Sequence, residues 1–253
     1  MIAKEKLNIL WSLEQTAEKY ADRVAVSDVN QELTWKELVK KAQVIGAELS
    51  EKVQPGNPVP VLLEKSSETL AVMLGIVYAG CFYVPVNPMN PTERLRKIME
   101  KLDPEVIISD EKGKEQLAAV GNGLENKVMG PEALTTATGT ELSEEQYSRL
   151  EQIQGAVERD GCFIRNLYIR INRNTEGNRG KSWSSQPVIR HFTEIFEITS
   201  ADVIGNQAPF DFDVSVKDIY SSIMTGAQLV LIPEGIFFNT AEDFLDLSFA
   251  IRK

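Results

Sequence analysis

Residues 174–185, NTEGNRGKSWSS, contain a Gly-Lys-Ser run at 180–182, which resembles the end of a G-x-x-x-x-G-K-[ST] phosphate-binding loop. In such a loop the backbone N–H groups and the lysine surround the phosphates of a nucleotide. The pattern needs a glycine five residues before Gly180, and Thr175 stands there instead. The preceding residues, RNLYIRINRN, are also too polar for a buried parallel strand. The sequence therefore predicts that Lys181 is a solvated loop residue.

A second candidate group is the run Phe-Asp-Phe-Asp at 210–213. It lies between a predicted strand within 202–210 and a predicted helix over 215–227, at the end of a βα unit. Ligands bind at such strand ends in open α/β sheets. The alternative is that Asp211 or Asp213 is only a turn residue before a helix that is capped by Ser215.

Other residue types restrict the classes of function. Cys81 and Cys162 are far apart, which argues against a disulfide framework or a thiolate zinc site and favours the cytoplasm. His191 is the only histidine, which excludes multi-histidine metal sites, and it is predicted on a helix surface. The net charge of −10 argues against a nucleic-acid partner. No apolar run is long enough for a membrane span, and no signal peptide is recognisable.

Hydrophobic periodicity predicts strands that alternate with helices, so we expect an α/β fold with layered parallel βαβ units. In ELTWKEL, Thr34 and Glu37 have the spacing of a capping box, which predicts a helix from about Trp35 to Leu49. From 111 to 160 the pattern weakens, and one helix in LSEEQYSRLEQI is predicted among loops. The other predicted helices cover 7–21, 66–80, 91–102 and 187–198, and the predicted strands cover 24–28, 59–64, 82–86, 105–109 and 228–233.

Three blocks in this order resemble the adenylate-forming ligases, the family of amino-acid adenylation domains and acyl-CoA synthetases. ELTWKEL and GIVYAGCFYVPVNPMNPTERLRKI resemble the first two core motifs of the family, and NQAPFDFDVSVKDIY resembles its F-D-x-S block. The NQAPF lead-in is similar to that of D-alanine–carrier protein ligases. The resemblance covers about residues 7–160 and 187–250 and implies the layered α/β N-terminal domain of the family.

The resemblance also implies a binding site. Asp213 matches the family aspartate that pairs with the α-amino group of an amino-acid substrate, and Phe212 and Ser215 are its neighbours in the pocket. A carboxylate suits this role because a buried ammonium group needs a charge partner. The family uses ATP with magnesium and passes the acyl group to the phosphopantetheine thiol of a carrier protein. No catalytic residue and no metal ligand is assigned in this chain.

The phosphate loop of the family, Y-T-S-G-S-T-G-x-P-K-G, should fall between residue 160 and the helix at 187, where no such pattern stands. Every residue of 166–182 nevertheless allows codons that encode IYTSGSTGTPKGIVVSH when they are read one nucleotide later. Tyr168 as TAC before Ile169 as ATC, for example, gives ACA, which encodes threonine. We interpret 161–186 as an out-of-frame segment that replaces the phosphate loop, with frameshifts near 158–165 and 183–187. The alternative is a divergent loop.

The resemblance implies ATP-dependent formation of an aminoacyl adenylate and its transfer to a carrier-protein thiol. The chain ends at Lys253, before the later blocks and the C-terminal domain of the family, so residues 1–253 are expected to be a partial and inactive N-terminal adenylation domain. Two alternatives stay open: a non-catalytic amino-acid-binding or interaction fragment, and a carboxylic acid–CoA ligase relative. Asp213 argues against the second, since an acid without an amine offers it no ammonium group.

Overall fold

The computed structural model of the protein describes residues 9–135, 141–160 and 185–233. The helices in these ranges are α1 (Ile9–Tyr20), α2 (Trp35–Ser50), α3 (Ser67–Tyr78), α4 (Thr92–Leu102), α5 (Glu111–Val120), α6 (Pro131–Thr135), α7 (Glu144–Asp160), α8 (Ser185–Ile195) and α9 (Asp213–Thr225), with a 3₁₀ helix at Leu124–Lys127. The strands are β1 (Val24–Ser27), β2 (Glu32–Thr34), β3 (Pro58–Leu62), β4 (Phe82–Pro85), β5 (Ile107–Ser109), β6 (Val128–Met129), β7 (Val203–Asn206) and β8 (Gln228–Leu231).

The strands form two four-stranded sheets. The first sheet has the order β2-β1-β8-β7, and the second has the order β4-β3-β5-β6. All neighbours are parallel except β1 and β2, which pair antiparallel. The predicted α/β class with parallel βαβ units is therefore confirmed. The first sheet joins segments that are distant in the sequence, because Val26 of β1 lies opposite Leu229 of β8.

Helices α2 and α3 pack against each other closely because each carries a glycine at the contact. A Cβ atom added to Gly46 would lie 2.5 Å from Tyr78 Cβ, and one added to Gly75 would lie 2.7 Å from Ile45 Cβ. Tyr78 and Ile45 are buried in the main hydrophobic core. Among the helices of the described ranges, none is long and apolar enough to cross a lipid bilayer.

The helix start predicted from the sequence is confirmed at α2 but not at α9. The Thr34 side chain accepts a hydrogen bond from the Glu37 N–H, and the Glu37 carboxylate accepts one from the Thr34 N–H, so the predicted capping box is confirmed. Helix α9 begins two residues earlier than expected, at Asp213, and its N-cap is Phe212. The prediction that Ser215 is the N-cap is wrong. The Ser215 hydroxyl lies in the first turn and donates to the carbonyl oxygens of Phe212 (2.6 Å) and Phe210 (3.3 Å).

The loop-rich segment expected after residue 111 contains more regular structure than the sequence indicates. Helix α5 begins after Asp110, whose carboxylate accepts a hydrogen bond from the Gly113 N–H at 2.8 Å. Strand β6 then pairs in parallel with β5 at the edge of the second sheet. The predicted helix in LSEEQYSRLEQI is confirmed as α7.

Candidate functional site

A cleft of about 380 Å³ lies at the carboxyl ends of strands from both sheets. Its lining begins where β1, β3, β4 and β8 end, which is where parallel α/β sheets bind ligands. One part of the wall is apolar and includes Val61, Leu63, Pro85, Val86, Phe210 and Leu231. The charged side chains of the wall are Asp28, Glu64, Lys65, Lys112 and Asp211.

Asp28 has a structural role at the cleft. Its Oδ1 accepts hydrogen bonds from the backbone N–H groups of Asn30 (2.8 Å) and Gln31 (3.0 Å), and its Oδ2 accepts from the N–H and the hydroxyl of Ser67 at 2.8 Å each. Burial raises the pKa of this carboxyl, but the hydrogen bonds from Ser67, Asn30 and Gln31 outweigh it, and the net pKa lies below its usual value. The carboxylate thus joins the β1–β2 turn to the first turn of α3.

Asp211 is the carboxylate of the F-D-F-D run that lines the cleft. Burial raises its pKa above the usual value, against an opposing effect of its own backbone N–H and of the positive charge of Arg94 in α4. The side chain is half-buried at the junction of β7 and α9. Asp211 therefore contributes a carboxylate that protonates more readily than an exposed one.

The structure places the predicted site residues at the start of α9. Asp213 is the first residue of the helix and is exposed, and it lies two positions after the cleft residue Asp211. Phe212 is 53% exposed, whereas Ser215 is fully buried. None of Phe212, Asp213 and Ser215 is among the described residues of the cleft wall. Their role in a pocket stays a prediction.

The sequence reasoning missed Lys65. Its ammonium group lies at the carboxyl end of β3 and donates to the carbonyl oxygens of Asn206 (3.2 Å), Gln207 (2.9 Å) and Ala208 (3.4 Å). These residues join β7 to the F-D-F-D run. The run Ser66-Ser67-Glu68 marks a helix start, since the Ser66 side chain accepts from the Thr69 N–H. This predicted helix start is the feature of the sequence from which the preceding Lys65 could have been considered as a site residue.

Two other residues considered in the sequence lie away from the cleft. Cys81 is buried, and burial raises the pKa of its thiol to about 12, so it is not an activated nucleophile. His191 is exposed on α8, as predicted.

The described ranges contain no cluster of side chains for a metal ion, and the window for the phosphate loop lies outside them. The Gly180-Lys181-Ser182 run, Cys162 and the segment 161–184 lie outside the described residues, as does the window for the phosphate loop. Within 9–135, 141–160 and 185–233, no group of three or more His, Cys, Asp or Glu side chains is placed to hold a metal ion. We therefore assign no described residue to magnesium or to the triphosphate.

The chain is similar to known proteins in sequence and in fold. A family model described as "AMP-binding enzyme" matches residues 13–164. Tyrocidine synthase 1 of Brevibacillus parabrevis is 27% identical over 241 residues, which cover 91% of this chain and 20% of that protein. The D-alanine–D-alanyl carrier protein ligase of Listeria monocytogenes serotype 4b (strain F2365) is 25% identical over 246 residues, which cover 95% of this chain and 46% of that protein.

Solved structures show the same fold. The N-terminal domain of FACL13 from Mycobacterium tuberculosis superimposes with a TM-score of 0.73 at 18% identity, covering 90% of this chain and 57% of that one. The nonribosomal peptide synthetase FmoA3 superimposes with a TM-score of 0.72 at 22% identity, covering 97% of this chain and 24% of that one.

Together with the cleft at the carboxyl ends of parallel strands, the family match defines an adenylate-forming type of α/β domain. The chain belongs to the AMP-binding enzyme family. It spans less than half the length of the two sequence relatives above. Those relatives are a tyrocidine synthase and an amino-acid–carrier protein ligase, and the chain resembles amino-acid adenylation domains.

Proposed function

We propose that this chain is part of the N-terminal domain of an amino-acid-activating ligase and that Asp213 binds the α-amino group of the substrate. The observation that carries the proposal is the position of Asp213. It is an exposed carboxylate at the first residue of α9, directly after the loop that borders the cleft. Family membership and the order of the F-D-x-S residues support the same role. In this role the carboxylate would pair with the ammonium group of an amino acid bound next to the cleft.

In the reaction proposed for an intact relative that has the phosphate loop, the substrate carboxylate attacks the α-phosphate of ATP, which gives an aminoacyl adenylate and pyrophosphate. The carrier-protein phosphopantetheine thiol then takes the acyl group from the adenylate to form a thioester, and AMP is released. The residues of this chain bind and orient the amino acid. Holding two reactants in the right geometry accelerates the reaction between them. The proposed partners are therefore an amino acid and, in the intact enzyme, a carrier protein, with ATP and magnesium as co-reactants that this chain is not expected to bind productively.

Substrate binding tests the role of Asp213. Titration calorimetry with the L-amino acids and D-alanine should find at least one ligand, and Asp213→Asn should weaken its binding roughly 10- to 100-fold, the value of a charge-assisted hydrogen bond of about 1.5–3 kcal/mol. Asp22→Asn is the matched control, because Asp22 is an exposed carboxylate on the α1–β1 turn. Its affinity should equal that of the wild type.

The same titration separates the alternatives. Propanoate lacks the amine of alanine, so it should not bind if Asp213 recognises an ammonium group. Equal binding of propanoate and alanine would instead favour a carboxylic acid–CoA ligase relative. A wild-type chain that binds no amino acid at all contradicts the proposal. Binding of an amino acid that is unaffected by ATP would favour the non-catalytic binding fragment.

We also infer that residues 161–186 are out of frame, so that this chain lacks the loop that stabilises the phosphates. The family match ends at residue 164, next to the start of this segment. The shifted reading requires ATC for both Ile169 and Ile171, and ACC for Thr175. Genomic DNA read across codons 155–190 tests this directly, since one incompatible codon refutes the inference. Purified chain should accordingly show no amino-acid-dependent pyrophosphate exchange.

A further inference from the structure

We propose that Lys65 is a positioning residue, which holds the loop before Asp213 in place across the junction of the two sheets. This inference rests on the proposed function of Asp213. Lys65 follows β3 of the second sheet, and the loop that it contacts, residues 206–208, follows β7 of the first sheet. Lys65 and the loop approach each other only because the two sheets end at the same cleft.

The Lys65 ammonium group donates to three consecutive backbone carbonyl groups. Three carbonyl oxygens, those of Asn206, Gln207 and Ala208, lie 3.2, 2.9 and 3.4 Å from Lys65 Nζ. An ammonium group has three N–H donors around one nitrogen, whereas a guanidinium group presents its donors in a flat fork. Three consecutive carbonyl groups that point to one place repel each other unless a cation lies between them. A lysine at position 65 therefore stabilises a loop conformation that would otherwise be unfavourable.

The loop continues directly into the candidate site. The side-chain amide of Asn206 donates to Asp218 in α9 at 3.1 Å, and Asn206 itself is fully buried. The Phe212 N–H donates to the Pro209 carbonyl oxygen at 3.1 Å, which closes the turn before α9. Asp213 follows Ala208 by only five positions. The position of the Asp213 carboxylate thus follows the position of the loop that Lys65 holds.

The backbone next to Lys65 is itself held in place by hydrogen bonds. Asp28 binds the N–H and the hydroxyl of Ser67, two residues after Lys65, and the Gln31 side chain donates to Ser67 Oγ and Glu68 Oε1 at 2.9 Å each. Glu68 also forms an ion pair with Lys41 of α2. The first turn of α3 is therefore tied to the β1–β2 turn and to α2, and Lys65 extends from a rigid support.

Hydrogen exchange tests the contact itself. In Lys65→Met, which keeps an unbranched stem and removes the charge, the backbone amides of residues 207, 208 and 210–213 should exchange at least 10-fold faster than in the wild type. Lys65→Arg should give an intermediate rate, because it restores the charge but not the geometry. Thr34→Ala is the control, because it removes the cap of α2 and lowers stability away from this loop. Unchanged exchange in Lys65→Met overturns the proposal.

Amino-acid affinity tests the positioning role. With the ligand that binds best in the panel of L-amino acids and D-alanine, Lys65→Met should raise the Kd about 10-fold, Lys65→Arg less, and Thr34→Ala not at all. If the loop exchanges faster in Lys65→Met while its Kd equals that of Thr34→Ala, Lys65 has a structural role only and the positioning role is refuted. A wild-type chain without affinity for any ligand refutes the proposed function, and the exchange rates still decide whether Lys65 holds the loop.

Discussion

Gly75→Ala should destabilise the protein, although replacing glycine by alanine stabilises a helix whose surface is exposed to solvent. The added Cβ would lie 2.7 Å from Ile45 Cβ, closer still to Ile45 Cγ2, and 3.0 Å from the carbonyl oxygen of Ala42. Carbon atoms in contact are about 3.5–4.0 Å apart. Because Ile45 is fully buried and the clash involves its Cβ, its side chain cannot rotate away. Helices α2 and α3 would have to separate by roughly 1 Å.

The size of the effect is the difference of two terms. Alanine gains about 1 kcal/mol over glycine in a helix interior. Overpacking of a well-packed core costs about 1–3 kcal/mol, and a clash next to the backbone belongs at the upper end. We therefore expect Gly75→Ala to lose a net stability of about 2 kcal/mol. Gly155 in α7 is the matched control, because an added Cβ there meets nothing within 4 Å. Gly155→Ala should gain about 1 kcal/mol.

Urea unfolding followed by tryptophan fluorescence measures both variants. The buried Trp35 indole reports on the start of α2 and the core around it. The midpoint should fall in Gly75→Ala and rise in Gly155→Ala while the slope stays the same, which shows that stability alone has changed. A midpoint for Gly75→Ala at or above that of the wild type would refute the reasoning. Gly46→Ala should behave like Gly75→Ala, since its Cβ would lie 2.5 Å from Tyr78 Cβ.

Three further changes test other parts of the structure. Asp28→Asn should lose about 1–3 kcal/mol at pH 7, because an amide NH₂ would face the Ser67 N–H donor. This loss should be full above the usual pKa of 3.8 and shrink as the pH falls below 3.8 through the folded pKa, because the folded pKa is lowered, and urea titrations at pH 7 and pH 3 measure the difference. In a Cys162→Ser background, Cys81 should react with DTNB at pH 8 only after urea is added, because burial raises its pKa to about 12; immediate labelling contradicts this. Thr34→Ala should lower the free energy of unfolding by about 1 kcal/mol in urea titrations, and Thr34→Ser by much less, because a hydroxyl is the N-cap acceptor.

Most elements of the first 110 residues could be predicted from local patterns, although the three-residue strand β2 was not. The capping box of Thr34 and Glu37 involves residues three positions apart, so the sequence contains all of its parts. Helix α5 was missed because its sequence, EKGKEQLAAV, buries only Gly113 and Leu117 and shows little apolar periodicity. Strand β6 has two residues, which is too short for any alternating pattern.

The candidate site could be predicted only in part. The F-D-F-D run and its place between a strand and a helix were visible in the sequence, and the structure places Asp211 in the cleft wall. The N-cap of α9 was predicted at Ser215 because a serine before an apolar run is a typical cap. In the structure the Ser215 hydroxyl instead donates to carbonyl groups of the preceding turn, so the helix starts at Asp213. The sequence could not indicate this, because the choice depends on the burial of Ser215.

The sequence by itself determined the α/β class, the positions of most helices and strands, and the order of the motifs that point to amino-acid adenylation. These properties follow from periodicity, caps and turns, which act over a few residues. The tertiary structure alone decided that β1 pairs with β8, that two sheets end at one cleft, and that Lys65 reaches the carbonyl groups of residues 206–208. The pairing of β1 with β8 and the contacts of Lys65 join segments more than 100 residues apart, and periodicity, caps and turns act over too few residues to indicate them.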